Sequence, residues 1–165
     1  MGSFQREAGL NVTDIANVAT QFLLTVKSPY ASITETTKSV IISSNNYAII
    51  LWNDGTIYIG LIYTNNQMRE GTYIYQDNIY YAGEFQNNIR SGKGIAHYAN
   101  GDIYDGQWDN DMMNGQGIYY FGGANATEKY SGHWGNNTMD GAGTYTLSNG
   151  SQVTGSWKNN KHISW

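Results

Sequence analysis

Residues 104–108 read Tyr-Asp-Gly-Gln-Trp, and this aromatic-x-Gly-x-aromatic pattern returns along the last two-thirds of the 165-residue chain. Close copies stand at 81–85 and 130–134, and looser copies stand at 58–62 and 153–157. The first residues of successive copies are 23, 23, 26 and 23 positions apart. A nearly fixed period of this length indicates a repeat protein, in which each unit buries its apolar face against its neighbours. The sequence therefore predicts a small solenoid.

The remainder of each unit is equally regular. A Gly-x-Gly pair follows the motif glycine, and large residues then alternate with others, which is the two-residue period of a strand. Asn-rich steps and Asn-Gly or Asp-Gly steps separate the strands, and the latter favour a two-residue hairpin turn. The fold class that we expect is mainly β, an elongated, twisted antiparallel sheet of hairpin repeats with a period of 23 residues.

The motif glycine has a mechanical explanation. Tyr104, Gly106 and Trp108 project to the same face of a strand, because side chains alternate between faces. The missing side chain leaves room for a ring from an adjacent strand to lie on the backbone, so we expect a row of stacked rings on one face. A phosphate-binding loop is excluded, since the Gly-x-Gly pairs lack the third glycine and the Gly-Lys-Ser/Thr ending of such loops.

The combined spacing of Tyr-x-Gly-x-Trp, Gly-x-Gly and Asn-Gly resembles the MORN repeat (membrane occupation and recognition nexus) over residues 53–160. The resemblance implies a scaffold or docking role. MORN arrays accompany catalytic domains in some lipid kinases and lysine methyltransferases, and in other proteins they belong to ciliary, cytoskeletal or membrane-junction assemblies. The first copy departs from the pattern because it lacks one glycine and the Trp, and three residues are inserted near 122–125.

Two segments differ in composition. Residues 53–165 form the repeat array, about four and a half units, and hold most of the glycines and tyrosines. Residues 1–52 are expected to form a cap or docking segment that consists of a helix and a hairpin. Apolar residues at helical spacing place the helix at 11–26, where it either caps the sheet or enters a partner's groove. The hairpin comprises 39–43 and 47–52.

No catalytic or metal-binding group is recognisable. The three histidines, His97, His133 and His162, occupy different repeat columns, so they are not expected to share a metal. The acidic run from Asp102 to Asp111 lacks the glycine and glutamate of a calcium loop. We therefore expect no enzyme, no cofactor and no metal.

The net charge of the array ranks the function classes that remain. From residue 55 onward the chain has 6 Lys plus Arg and 9 Asp plus Glu, a balance of 6 − 9 = −3. Nucleic acid and anionic lipid are normally bound by clustered basic residues, so we expect no nucleic-acid partner and rank phospholipid tethering below protein binding. Carbohydrate or choline recognition by aromatic repeats is a second alternative. No long apolar run indicates a leader or membrane span, which predicts a cytoplasmic location without secretion. The resemblance to MORN arrays implies a cytoskeletal or ciliary place within it.

The aromatic residues of the motif column are the candidate partner-binding residues. Trp108 and Trp134 are expected to stabilise the sheet before they contact any partner. A further contact, with a second copy or another subunit, is expected at 153–165, where Lys161–Trp165 replaces the usual Gly-x-Gly strand and leaves an open edge unless it folds back. The candidates are Tyr81, Phe85, Tyr104, Trp108, Tyr130, Trp134, Trp157 and Trp165.

Overall fold

The computed structural model describes residues 32–35, 39–44, 46–75 and 79–163. They form one antiparallel sheet of 13 strands, ordered as in the sequence, so the predicted fold class is confirmed. The proposed helix at 11–26 and the candidate Trp165 lie outside the described residues. The strands are β1 Ser32–Glu35, β2 Ser39–Ser44, β3 Tyr47–Trp52, β4 Ile57–Ile62, β5 Met68–Ile74, β6 Tyr80–Gln86, β7 Ile89–His97, β8 Ile103–Asp109, β9 Met112–Tyr120, β10 Lys129–Gly135, β11 Thr138–Thr146, β12 Gln152–Lys158 and β13 Lys161–Ile163.

Hairpin β2–β3 is the one that the sequence predicts ahead of the first repeat. Its strands pair antiparallel from Ser39↔Trp52 to Ser44↔Tyr47. The next pair, β3–β4, continues the same ladder into the first repeat, with Ala48 opposite Gly60. The hairpin and the repeats therefore share one continuous sheet.

Two kinds of turn alternate between the strands. The Asn-rich steps are two-residue turns in which both residues have positive φ, 51° and 64° at Asn87-Asn88 and 47° and 66° at Asn136-Asn137. This is the type I′ geometry, whose twist matches that of the flanking strands. Asn tolerates the left-handed region better than most residues with a side chain, which explains its frequency here.

The Asn-Gly steps form longer loops, so the prediction of a two-residue turn is wrong for them. The Tyr98 N–H donates to the Asp102 carbonyl at 3.0 Å, and the Gly101 N–H donates to the Tyr98 carbonyl at 2.9 Å. Only Gly101, with φ +86°, is left-handed in this three-residue loop. A type I′ turn requires positive φ at both central residues, whereas a type I turn followed by a left-handed glycine requires it once. The three inserted residues lengthen the corresponding loop between Phe121 and Glu128.

A row of glycines crosses the sheet. One glycine from each of the nine strands β4–β12 stands opposite a glycine of the next strand. The backbones are bare along this line, which creates space for rings on one face. The row consists of Gly60, Gly71, Gly83, Gly94, Gly106, Gly117, Gly132, Gly143 and Gly155.

The motif tyrosines fill this space, although not in the way that the sequence indicates. Tyr104 is 0% exposed, and its ring lies over Gly106 of its own strand as well as over Gly117 of the adjacent strand. The ring over the motif glycine thus comes from two residues earlier in the same strand, whereas the ring over Gly117 comes from the adjacent strand, as expected. Its hydroxyl donates to the Gln107 carbonyl at 2.9 Å. Tyr58, Tyr81 and Tyr130 repeat this bond, each to the carbonyl three residues on.

The second motif aromatic locks neighbouring repeats together. Trp108 Nε1 donates to the Gly94 carbonyl at 3.1 Å, and Trp134 Nε1 donates to the Gly117 carbonyl at 3.3 Å. Edge-to-face contacts, with ring centroids 5.1–5.5 Å apart, join all motif rings from Tyr58 to Trp157 into one buried ring row. Such pairs contribute about 0.5–1.5 kcal/mol each beyond their buried area. The ring row contains Tyr58, Phe85, Tyr81, Trp108, Tyr104, Trp134, Tyr130 and Trp157.

The last described segment folds back onto the array. β13 pairs with the end of β12 through Ser156↔Ile163, Trp157↔His162 and Lys158↔Lys161, so the edge of β12 is covered at residues 156–158. Val153 stands where the earlier units have Tyr, and the His162 ring covers Gly155 instead. The expected partner contact at 153–165 stays a prediction.

Candidate functional site

A groove runs beside the buried ring row on the same face of the sheet. Its cavities have volumes of about 450 Å³ at the first repeats and about 590 Å³ at the later ones. Half-buried aromatic residues from the end of β3, from the Gly-x-Gly strands and from the loops after those strands form one wall. We call these the outer aromatic row: Trp52, Tyr73, Tyr75, Tyr98, Tyr119, Phe121 and Tyr145.

The candidate partner-binding residues of the motif column lie beneath this groove. The seven that the structure describes are at most 8% exposed, so they offer little surface to a partner. They are Tyr81, Phe85, Tyr104, Trp108, Tyr130, Trp134 and Trp157. The accessible rings belong instead to the outer aromatic row, which the sequence analysis used only as a strand pattern. The large residues that follow each Gly-x-Gly pair are the feature of the sequence that could have indicated this row.

The opposite wall is a column of residues that begin the Gly-x-Gly strands, Met68, Arg90, Met113 and Met139. Each is held from the next repeat by a turn residue. The Met113 N–H donates to Asn137 Oδ1 at 2.8 Å, and the Asn137 N–H returns a bond to the Met113 carbonyl at 3.0 Å. We call the turn residues clamp residues: Asn88, Asp111, Asn137 and Asn160. The sequence analysis recognised them only as turn formers.

The central position of this column carries a charge. Arg90 Nε lies 2.9 Å from Asp111 Oδ1, and the Arg90 guanidinium carbon lies 4.3 Å from the Trp108 ring centroid. Asp111 is the clamp residue of this repeat, with Asp in place of Asn. Arg90 and Asp111 line the first cavity, whereas no charged side chain lines the second.

The family model of the MORN repeat matches residues 81–103, 104–123 and 130–152. The chain carries three MORN repeats. Among curated proteins, no sequence matches it. The matched residues contain the central tyrosines, the Gly-x-Gly pairs and most of the outer aromatic row.

The MORN geometry continues beyond the matched residues. On one side, the Tyr58 hydroxyl donates to the Leu61 carbonyl at 2.6 Å, as the tyrosines of the matched repeats do. On the other side, Trp157 Nε1 donates to the Gly143 carbonyl at 3.2 Å. The units that begin at Tyr58 and Val153 are therefore structural repeats whose sequences have diverged.

Acidic residues border the outer rings of the MORN groove. The Tyr119 hydroxyl donates to Asp102 Oδ2 at 2.8 Å, and the Tyr145 hydroxyl donates to Glu128 Oε1. Burial and the bond to Glu128 raise the pKa of Tyr145 to about 12. Burial and the bond to Asp102 raise the pKa of Tyr119 in the same direction. Both hydroxyls are therefore protonated donors near neutral pH. Each tyrosine thus has a carboxylate bonded to its hydroxyl, at the end of its ring.

The described residues form no metal site. In the part of the chain that the structure describes, no group of three His, Cys, Asp or Glu side chains is arranged to hold a metal ion. The three histidines lie apart, since His97 stacks on Tyr80, His133 contacts the Asp140 carbonyl and His162 covers Gly155. Within these residues there is also no helix of the length and apolarity needed to cross a membrane.

Proposed function

We propose that the chain is a non-catalytic scaffold whose MORN groove binds a segment of a partner protein. The observation that carries the proposal is the outer aromatic row beside an almost uncharged groove. Protein interfaces are enriched in Tyr, Trp, Phe, Met and Arg at their cores and depleted of other charges. The two cavities are lined by these residue types and by amide side chains, with Arg90 and Asp111 as the charged pair.

The distribution of basic residues supports a protein partner over a lipid. Arg90 and Lys158 are already paired, with Asp111 and Asp140 respectively. The array carries the net charge of −3 derived above, and its remaining cations are spread along it. Juxtamembrane attraction to anionic lipid needs several clustered cations at about 1 kcal/mol each. A role in a cytoskeletal or ciliary assembly is a finer proposal, which rests only on the resemblance to MORN arrays of such assemblies.

Two neighbouring residues allow a sharp test. Phe121 packs against the groove side, whereas Tyr120 pairs with Ile103 on the other face and lies beneath Lys129. Each is half-buried. We would replace one or the other with the photoreactive benzoylphenylalanine and irradiate the full chain in extracts of its native source. A protein adduct formed from position 121 and not from position 120 is the expected result.

The alternative outcomes are equally informative. An adduct from position 120 alone would move the interface to the opposite face, and adducts from neither position would contradict protein binding by the groove. For the lipid alternative, we expect the protein to stay in the supernatant with vesicles that contain anionic phosphoinositides at physiological salt. Strong, salt-sensitive sedimentation would reverse the order of the two functions. Binding of a simple oligosaccharide or of choline to the groove would favour the third class.

A further inference from the structure

The first cavity shows what kind of group packs against the rings of this groove. Arg90 extends from the wall column so that its guanidinium lies over Trp108 at 4.3 Å and near Tyr81 at 5.7 Å from the ring centroids. Asp111 holds it through Nε at 2.9 Å and through a backbone carbonyl bond from Nη2, also at 2.9 Å. The chain therefore supplies its own cation to the π face of this repeat.

The later repeats keep the rings and lack the cation. Met113 occupies the column position of Arg90, and Asn137 occupies that of Asp111. Met139 and Asn160 repeat the substitution one unit further on. The second cavity of about 590 Å³ consequently has rings on one side, thioethers and amides on the other, and no charged side chain in its lining.

The electrostatics of the second cavity favour a positive guest. Tyr119 and Tyr145 project into it, and each donates its hydroxyl to a carboxylate outside the cavity, Asp102 and Glu128 respectively. Ring faces attract cations through their quadrupole, most strongly where water is excluded. Two adjacent carboxylates add to that attraction, and no lining Lys or Arg opposes it.

We propose that the second cavity binds the side chain of an arginine presented by the partner protein. This inference rests on the proposed function, because it specifies what the partner places in the groove. Arginine is favoured over lysine because its planar, weakly hydrated guanidinium stacks on aromatic faces, as Arg90 does on Trp108. The amide oxygens and nitrogens of Asn137 and Asn160 stand at the cavity wall where Asp111 stands in the first cavity.

The test uses a matched pair of small probes and needs no identified partner. N-acetyl-arginine amide and N-acetyl-citrulline amide have nearly the same shape, but only the first is charged. Each is titrated into the full chain while the indole N–H resonances of the tryptophans are followed by NMR. We expect the arginine amide to shift Trp134 and Trp157 saturably and to bind roughly 2–30-fold tighter than the citrulline amide. Trp108 should not respond, since Arg90 covers it.

Two variants exchange the character of the cavities. Arg90→Met should remove the guanidinium from the first cavity and make the Trp108 indole respond to the arginine amide. The double variant Met113→Arg/Asn137→Asp should place an internal cation in the second cavity beside Trp134 and abolish its response. Equal binding of both probes, no shift with either, or shifts confined to other tryptophans in the unmodified chain would overturn the inference. These results would leave photocrosslinking at position 121 unaffected, so failure here is distinguishable from failure of the proposed function.

Discussion

Substitution of Gly106 by Ala tests whether the glycine row is required by the rings that lie on it. Gly106 is in an ordinary strand conformation, so the added methyl group acts through space alone. The methyl carbon would stand 2.5 Å from the Tyr104 hydroxyl oxygen and 2.6 Å from the Gly117 Cα. Ordinary contacts at carbon are about 3.5–4.0 Å. Neither neighbour has room to move, because one is backbone of the paired strand and the other belongs to a ring that is 0% exposed.

The expected cost follows from these two conflicts. Overpacking in a well-packed core costs about 1–3 kcal/mol. Displacement of the Tyr104 ring also breaks its bond to the Gln107 carbonyl, which is worth about 0.5–1.5 kcal/mol. We therefore expect Gly106→Ala to lower the free energy of unfolding by about 2–4 kcal/mol, and the thermal midpoint by roughly 10 °C for a chain of this size.

Gly135→Ala is the matched control for this experiment. Gly135, the last residue of β10, also lacks a positive φ, but the nearest atom to a methyl group there is Asp140 Cβ at 3.3 Å, compared with 2.5 Å at Gly106. Its free energy of unfolding should stay within about 1 kcal/mol of that of the unmodified chain. Urea and thermal unfolding, followed by near-ultraviolet circular dichroism of the rings, measure both variants. Equal stability of the two variants would refute the assignment of the glycine row to ring packing.

Three further predictions concern the ring row and the clamp. Trp108→Ala should lower the free energy of unfolding by about 3–5 kcal/mol, because the side chain is 4% exposed and both its packing and its hydrogen bond are lost. An unchanged thermal midpoint would contradict this prediction. Asn137→Ala should lower the stability of the chain to urea more than Asn137→Gly does. Both variants lose the bond to Met113, but only alanine is strained at φ +66°. The reverse order of stability would contradict the role of the clamp. Burial raises the pKa of Tyr58 to about 12, so its contribution to stability is complete below pH 10 and is lost as the pH rises from about 10 to 12. Tyrosinate absorbance should therefore rise together with unfolding at alkaline pH, and full ionisation in a folded chain would disprove this.

The fold was predictable because the same sequence pattern recurs in each unit. Five copies of one pattern place large apolar or aromatic residues on both sides of a glycine in the same columns, so chance agreement is averaged out and the strand period becomes visible. The glycine spacing also predicted close packing between ring and backbone. The source of the ring was not predictable, because a side chain can lie along its own strand or across to the next. The Tyr104 hydroxyl bond to Gln107 selects the first arrangement.

The groove was less accessible to sequence reasoning. Burial of the motif rings depends on edge-to-face contacts such as Tyr104–Trp134, which join residues 30 positions apart in different repeats. The clamp joins Met113 to Asn137 across the same kind of distance. Both residues look unremarkable within one unit, and only the register between units brings them together. Arg90 and Asp111 depart together from the Met and Asn of the other clamps, although they belong to neighbouring repeats.

In the clamp, backbone hydrogen bonds join neighbouring units, while the side chains of the wall residues face the groove. Each clamp residue accepts a bond from the backbone N–H of its wall residue, and this bond does not depend on the wall side chain, which explains why Met113 and Arg90 fit the same framework. A substitution at position 68, 90, 113 or 139 can therefore change the groove wall while the backbone hydrogen bonds between units are retained. The wall changes its chemical character in one repeat, as it does at Arg90, and the bonds that join that repeat to the next stay in place.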